Sequence, residues 1–196
     1  MNSKINCLFS QPLIRKFILF FIIIISSLFV LINNPAFASI NDDKYDGNIF
    51  ILYAGNGSLV PPRLTLKQSL QRELPTILVY YVDDCSDCKK YSFTVSRLQE
   101  YYGRASNIMP IAVDSIPQKS NFNKDEPGYY YKGFIPQTVI LDQKGKVVFD
   151  ETGQTSFEKI DDKLREIFDL LPREESVELK LRTVNEYNLE LVEESK

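Results

Sequence analysis

Two cysteines three positions apart, in Cys85-Ser86-Asp87-Cys88, follow directly on the apolar run Thr76-Ile77-Leu78-Val79-Tyr80-Tyr81-Val82. Thiols so spaced, where a buried strand gives way to a helix, suit thiol–disulfide exchange. In such a reaction an exposed thiolate attacks a disulfide and a second thiol resolves the mixed intermediate. Cys85, nearer the helix start, is the expected attacker, and Cys88, one turn further in, the expected resolver. Three-residue spacing on a helix brings their α-carbons within the range a disulfide bridges. The remaining cysteine, Cys7, lies in a leader expected to be removed, so the pair would react only with each other or with a partner's cysteine.

The surroundings of the pair pull both ways. A helix N-terminus stabilises an anion by about 0.3–1 kcal/mol. One carboxylate about 5 Å away in a water-like dielectric opposes it by roughly 0.8 kcal/mol, and Asp83, Asp84 and Asp87 flank the thiols. The sign of the balance at Cys85 stays open, with Lys89 and Lys90 able to tip it toward thiolate. Histidine is absent, which removes the usual general base and the commonest metal ligand. Neither a metal nor a cofactor is expected, since zinc would need at least two more soft or imidazole ligands. Proton transfer at Cys88 therefore falls to water, Asp87 or Asp84. A bridge closing so short a loop would stabilise the fold by only about 2 kcal/mol, against nearly 5 for a loop of about 100 residues. That favours a redox pair over a structural staple, with an inert pair inside a binding fold as the alternative.

The elements that must hold these thiols follow from periodicity. Asn48–Tyr53 alternates as a first strand would, after a loose polar stretch from Ser39 to Asn48. Gly55, Gly57, Pro61 and Pro62 mark a loop, and Leu64, Leu66, Leu70 and Leu74 fit one face of a short helix closed by Pro75. After the strand Thr76–Val82, Asp84 is placed to cap a helix with Asp87 at its third position. Tyr91, Val95, Leu98 and Tyr102 form the buried stripe of that helix, and Gly103 its stop. Ile108–Val113 reads as a buried parallel strand. Residues 114–133, with Pro117, Pro127, Gly128 and Tyr129-Tyr130-Tyr131, read as an inserted loop whose tyrosines form a sticky patch or pack on the sheet. Thr138–Leu141 and Lys146–Phe149 flank the turn Asp142-Gln143-Lys144-Gly145, a bulged hairpin. Thr155-Ser156-Phe157-Glu158 has the form of a capping box opening a last helix, with Phe157, Ile160, Leu164, Ile167, Phe168 and Leu171 on one face and Pro172 at its end. Alternation at Val177, Leu179, Leu181 and at Tyr187, Leu189, Leu191 suggests extended segments in the tail. The expected order is strand, helix, strand, helix, strand, hairpin, helix, an α/β arrangement.

Composition bounds the partners. Residues 1–38 carry Lys4, Arg15 and Lys16, an apolar core from Ile18 to Ile32 and the small-x-small site Ala36-Phe37-Ala38, the pattern of a secretory signal. An uncleaved membrane anchor is the rival, although the apolar stretch of about 16 residues is short of the ~20 usually needed to span. The expected division is a leader at 1–38, a single domain at 39–171 and a tail at 172–196. Beyond the leader lie 26 acidic and 20 basic residues, a net charge of −6. Nucleic acid and anionic lipid are therefore poor partners, and a protein client is expected. Membrane association would come through the N-terminus if it is uncleaved.

Asn48 to Leu171 resembles the thioredoxin superfamily through two motifs, Cys85-Ser86-Asp87-Cys88 and Ile135-Pro136 followed by Gln137-Thr138. The resemblance implies a thioredoxin-like α/β fold, a central mixed sheet flanked by helices. It also implies a cis Pro136 whose backbone, with Ile135, faces the dithiol and binds an extended substrate segment. The chain departs from the pattern at Asp84, where a tryptophan usually stands, at Ser86-Asp87, where Gly-Pro is usual, and at Val79, where a buried carboxylate usually assists the second thiol. The exported lead, Asp46–Phe50 with Leu52–Ser58, Glu126–Gly133 and Phe168–Arg173 further resemble the thioredoxin-like photosystem I accumulation factors of thylakoid membranes. That implies a protein of the thylakoid lumen or membrane, with the periplasm as alternative, that supports photosystem I assembly through exchange at Cys85 and Cys88. Its client would be a photosystem I subunit or assembly factor. A non-enzymatic assembly factor, binding through a redox-inactive thioredoxin fold, is the competing expectation.

Overall fold

A computed structural model describes residues 12–31 and 38–176. The chain divides into two compact units, 1–38 and 39–196. In the first, helix α1 spans Pro12–Leu31. Among the described residues no helix is both long and apolar enough to cross a membrane. Cys7 and the alternating tail beyond Ser176 lie outside the described residues.

The second unit is built on strand β1, Thr76–Tyr81, every residue of which is buried. Successive strand side chains point to opposite faces, so β1 serves two cores at once. Ile77, Val79 and Tyr81 join one cluster with residues from helices α2 (Ile49–Leu52), α4 (Ser86–Tyr102) and α5 (Phe157–Ile167). Leu78 and Tyr80 join a second with Leu66 of helix α3 (Leu66–Gln71) and with Tyr130. Strand β2, Asn107–Ala112, lies parallel to β1, with β3 (Gln137–Leu141) antiparallel on its other side and β4 (Val147–Thr152) antiparallel to β3. The order β2-β1-β3-β4 places β1 in the interior of a mixed four-stranded sheet, a thioredoxin-like α/β fold. The predicted stripe on α4 holds, since Tyr91, Val95, Leu98 and Tyr102 are all buried. So does the hairpin, with a register shift at Ile140/Leu141 and Gly145 at φ +72°.

Several sequence expectations are corrected. Asn48–Tyr53 is no strand: Asn48 caps α2, its side chain accepting the Phe50 and Ile51 N–H groups while Asp83 Oδ1 accepts that of Ile49 at 3.0 Å. Four apolar residues are too few to establish a period, and these three bonds satisfy the first turn of a helix instead. The dithiol consequently sits at the first strand-to-helix junction among the described residues. Asp84 does not cap α4; Cys85 does, and Asp87 is its second residue. The capping box at 155–158 is absent because Ser156 is the cap and the third helical residue is Lys159. Helix α5 ends at Ile167, where Phe168 and the left-handed Asp169 turn the chain and leave Leu171 exposed. The tyrosine loop divides: Tyr130 is buried and Tyr131 packs on Tyr80 with ring centroids 5.2 Å apart, whereas Tyr129 stays half-exposed.

Candidate functional site

The carboxyl end of β1 delivers Cys85 to the mouth of α4 after a three-residue turn. Cys85 has extended backbone, and its Sγ accepts the N–H of Cys88 at 3.1 Å, so the thiol itself is the helix cap. Cys85 is half-buried. Cys88 is 1% exposed and packs in the apolar cluster that contains Val79. Both cysteines are free thiols. Burial pushes the Cys88 thiol well above its ordinary pKa, and its hydrogen bond with Cys85 adds to the shift. The site therefore sets one half-buried and one sealed sulfur a single helix turn apart.

The flanking acids are occupied in different ways. Asp83 turns inward to hold the start of α2, and burial raises its carboxyl above the ordinary range. Asp87 accepts Gln154 Nε2 at 2.9 Å, linking the motif to the loop before α5. Asp84 is exposed. A fourth acid, Asp43, which sequence reasoning missed, accepts the Ser86 N–H at 2.8 Å. Neither was the fate of Lys89 foreseen. It lies fully buried, bonded to Ser39, Asp42 and Asp46, and so is committed to the fold rather than free beside Cys85.

Ile135-Pro136 is a cis peptide unit, immediately before β3. Because Gln137 pairs with Tyr80 of β1, Pro136 lies at the same end of the sheet from which the chain runs to Cys85. Ile135 and Cys85 both pack against the cluster that holds Cys88. The Pro136 carbonyl accepts the Gly153 N–H at 2.6 Å. The backbone groups of Ile135, by contrast, have no intramolecular hydrogen bond among the described residues. Two neighbours fix this segment. Gln137, fully buried, donates to the Tyr130 carbonyl and to Asp150 and accepts the Lys132 N–H, each at 2.9 Å. Thr138 shares a 2.7 Å hydrogen bond with Tyr91, one turn beyond Cys88 on α4. The residue pair Gln137-Thr138 thus ties the proline segment to the tyrosine loop and to the dithiol helix. The sequence signal for it was a polar pair heading an otherwise apolar strand. Among the described residues no cluster of three potential metal ligands occurs.

A family model described as a thioredoxin-like domain matches residues 62–168. Thylakoid membrane protein slr1796 of Synechocystis sp. (strain ATCC 27184 / PCC 6803 / Kazusa) is 63% identical over 161 residues, covering 82% of this chain and 80% of that protein. Among solved structures, a mutant thioredoxin from Halobacterium salinarum NRC-1 aligns with a TM-score of 0.41 at 19% identity, over 53% of this chain and 83% of that one. Fasciola hepatica thioredoxin aligns with a TM-score of 0.41 at 15% identity, over 52% and 90%. With the family domain covering more than half its length and a relative of this identity matching four-fifths of it, the chain belongs to the thioredoxin-like family.

Proposed function

We propose that the chain is a thiol–disulfide exchange protein of the thylakoid membrane or lumen, acting on a protein client in the accumulation of photosystem I. The observation that carries the chemistry is the capping geometry: a half-open Cys85 Sγ fixed on the Cys88 N–H at 3.1 Å, with a buried thiol one turn further in. The location is supported by the thylakoid relative, and the process by the resemblance to photosystem I accumulation factors.

In the reducing direction, the Cys85 thiolate attacks a client disulfide, forming a mixed disulfide and releasing one client thiolate. Cys88 then gives up its proton to water, and its thiolate attacks Cys85 Sγ. The Cys85–Cys88 disulfide forms and the second client thiolate leaves. The client gains two electrons, the dithiol loses two, and both client thiolates take protons from water. A dithiol donor must restore the pair. The Ile135 backbone, free and beside the sulfurs' cluster, would pair with the client strand.

Replacing Cys85 by serine tests the reading. Exchange predicts no reaction with a peptide disulfide and a fall in photosystem I content in cells that make the variant at normal level. Unchanged photosystem I content in those cells would assign the role to client binding alone, a reading favoured by one observation: Cys88 is sealed in apolar surroundings with its pKa raised.

A further inference from the structure

Residues 39–46, polar and loose by composition, are fastened to the dithiol helix at two points. The first is Lys89, the residue directly after Cys88, whose side chain is fully buried. Its ammonium donates to the carbonyls of Ser39 and Asp42 at 2.9 and 3.0 Å and to the carboxylates of Asp42 and Asp46 at 3.1 and 2.8 Å. An ammonium has three protons to give, so four oxygens saturate it. The Tyr53 ring closes the cage 5.4 Å from Nζ, and its hydroxyl donates to Asp46. Burial alone would lower the Lys89 pKa, but the hydrogen bonds to Asp46 and Asp42 outweigh it and hold the group charged.

The second point is Asp43, whose carboxylate accepts the N–H of Ser86, the first residue of α4. Helix-mouth N–H groups are the groups that favour a thiolate there. Asp43 occupies one of them and places a negative charge against the residue next to Cys85.

We propose that residues 39–46 form a strap across the mouth of the dithiol helix, and that Asp43, held in place by the Lys89 cage, restrains the reactivity of Cys85 until the strap lifts. Asp43 and Lys89 are then positioning residues for the exchange site proposed above, on which this inference rests. A carboxylate about 6 Å from a thiolate, in a dielectric between that of water and half of it, changes the thiolate equilibrium by about three- to tenfold.

The test is the rate at which iodoacetamide modifies Cys85 in the full reduced chain, in detergent at pH 7, followed by peptide mass spectrometry. Asp43→Asn keeps an acceptor for the Ser86 N–H and removes the charge, so the rate should rise about three- to tenfold. Asp43→Ala should raise it at least as much and expose residues 39–46 to proteolysis, with Cys88 still unmodified as the sign of an intact helix. Lys89→Met, if it folds, should do both. Rates for the two Asp43 variants within about twofold of the parent would overturn the strap. Reaction with 5,5′-dithiobis(2-nitrobenzoate) separates the two ideas. Faster alkylation with Cys85 left carrying its thionitrobenzoate adduct keeps the strap and removes exchange, whereas an adduct-free Cys85–Cys88 disulfide with unchanged alkylation does the reverse.

Discussion

Cys85 as the cap of α4 makes a measurable prediction about stability, separable from any chemistry. Its Sγ takes the Cys88 N–H at 3.1 Å, filling the place usually held by a serine, threonine, aspartate or asparagine oxygen. Loss of an N-cap acceptor costs about 1 kcal/mol, within a range of about 0.5–2. Cys85→Ala should therefore destabilise the reduced protein by about 1 kcal/mol, a fall in Tm of about 2–4 °C for a domain of this size. Cys85→Ser supplies a better acceptor of similar bulk and should match or exceed the parent, so the difference between the two variants isolates the cap from the packing of the sulfur. Asp84, exposed and one residue too early, should change stability by less than about 0.5 kcal/mol when replaced by alanine. Urea unfolding in excess reductant, followed by far-UV circular dichroism, reads all three. If Asp84→Ala costs as much as Cys85→Ala, or if the serine and alanine variants at 85 are equally stable, the capping assignment is wrong.

Other consequences are open to the same tools. In the intact reduced protein at pH 7–8, alkylation should modify Cys85 and leave Cys88 untouched until urea unfolds the chain, because burial raises the Cys88 pKa; two adducts in native buffer would contradict this. Asp46 is held below its ordinary value of 3.8, chiefly by the hydrogen bond from Lys89 and then by that from Tyr53. Its contribution to stability is thus complete above pH 3.8 and disappears as pH falls through the lower folded value. Asp46→Asn should flatten the loss of stability below about pH 4, measured as urea midpoints against pH. Gly145 turns the hairpin at φ +72°, and an added Cβ would lie 3.0 Å from Leu70. Gly145→Ala should then cost about 1–2 kcal/mol from the left-handed backbone alone, seen as a lower thermal midpoint.

What the sequence disclosed was whatever rests on long, single-period patterns. The run Thr76–Val82 reads as a buried strand and the stripe from Tyr91 to Tyr102 as a core face; Thr76–Tyr81 and all four stripe residues are buried. The hairpin was carried by one turn with a glycine in the right place. Two of the failures, at Asn48–Tyr53 and at Lys89, share a cause, which is that a deciding partner lies far along the chain, whereas the caps at Cys85 and Ser156 were each missed by one position. Asn48–Tyr53 reads as a strand in sequence, and one of the three bonds that open its helix comes from Asp83, 34 residues after Ile49. Lys89, expected to tip Cys85 toward thiolate, is instead committed to oxygens that lie 43 to 50 residues earlier. The acids at 42, 43 and 46 were visible as a cluster, but nothing local connects them with a helical lysine beside a small buried Ser92. At the site, the placement of the two cysteines and of the proline unit with Gln137-Thr138 was legible from motif and order, whereas Asp43 was not, since its partner is the backbone N–H of Ser86, 43 residues later.

Were the leader removed, the Lys89 cage would limit where the cut could fall. Its earliest oxygen belongs to Ser39, the first residue of the second compact unit. A maturation protease that cut after Ala38 would leave every oxygen in place, while one that cut a few residues later, beyond Asp42, would strip three of the four and leave a cation stranded in the interior. Such a ragged product would be a poor folder and a ready target for degradation, so the domain itself would check the accuracy of any such cut.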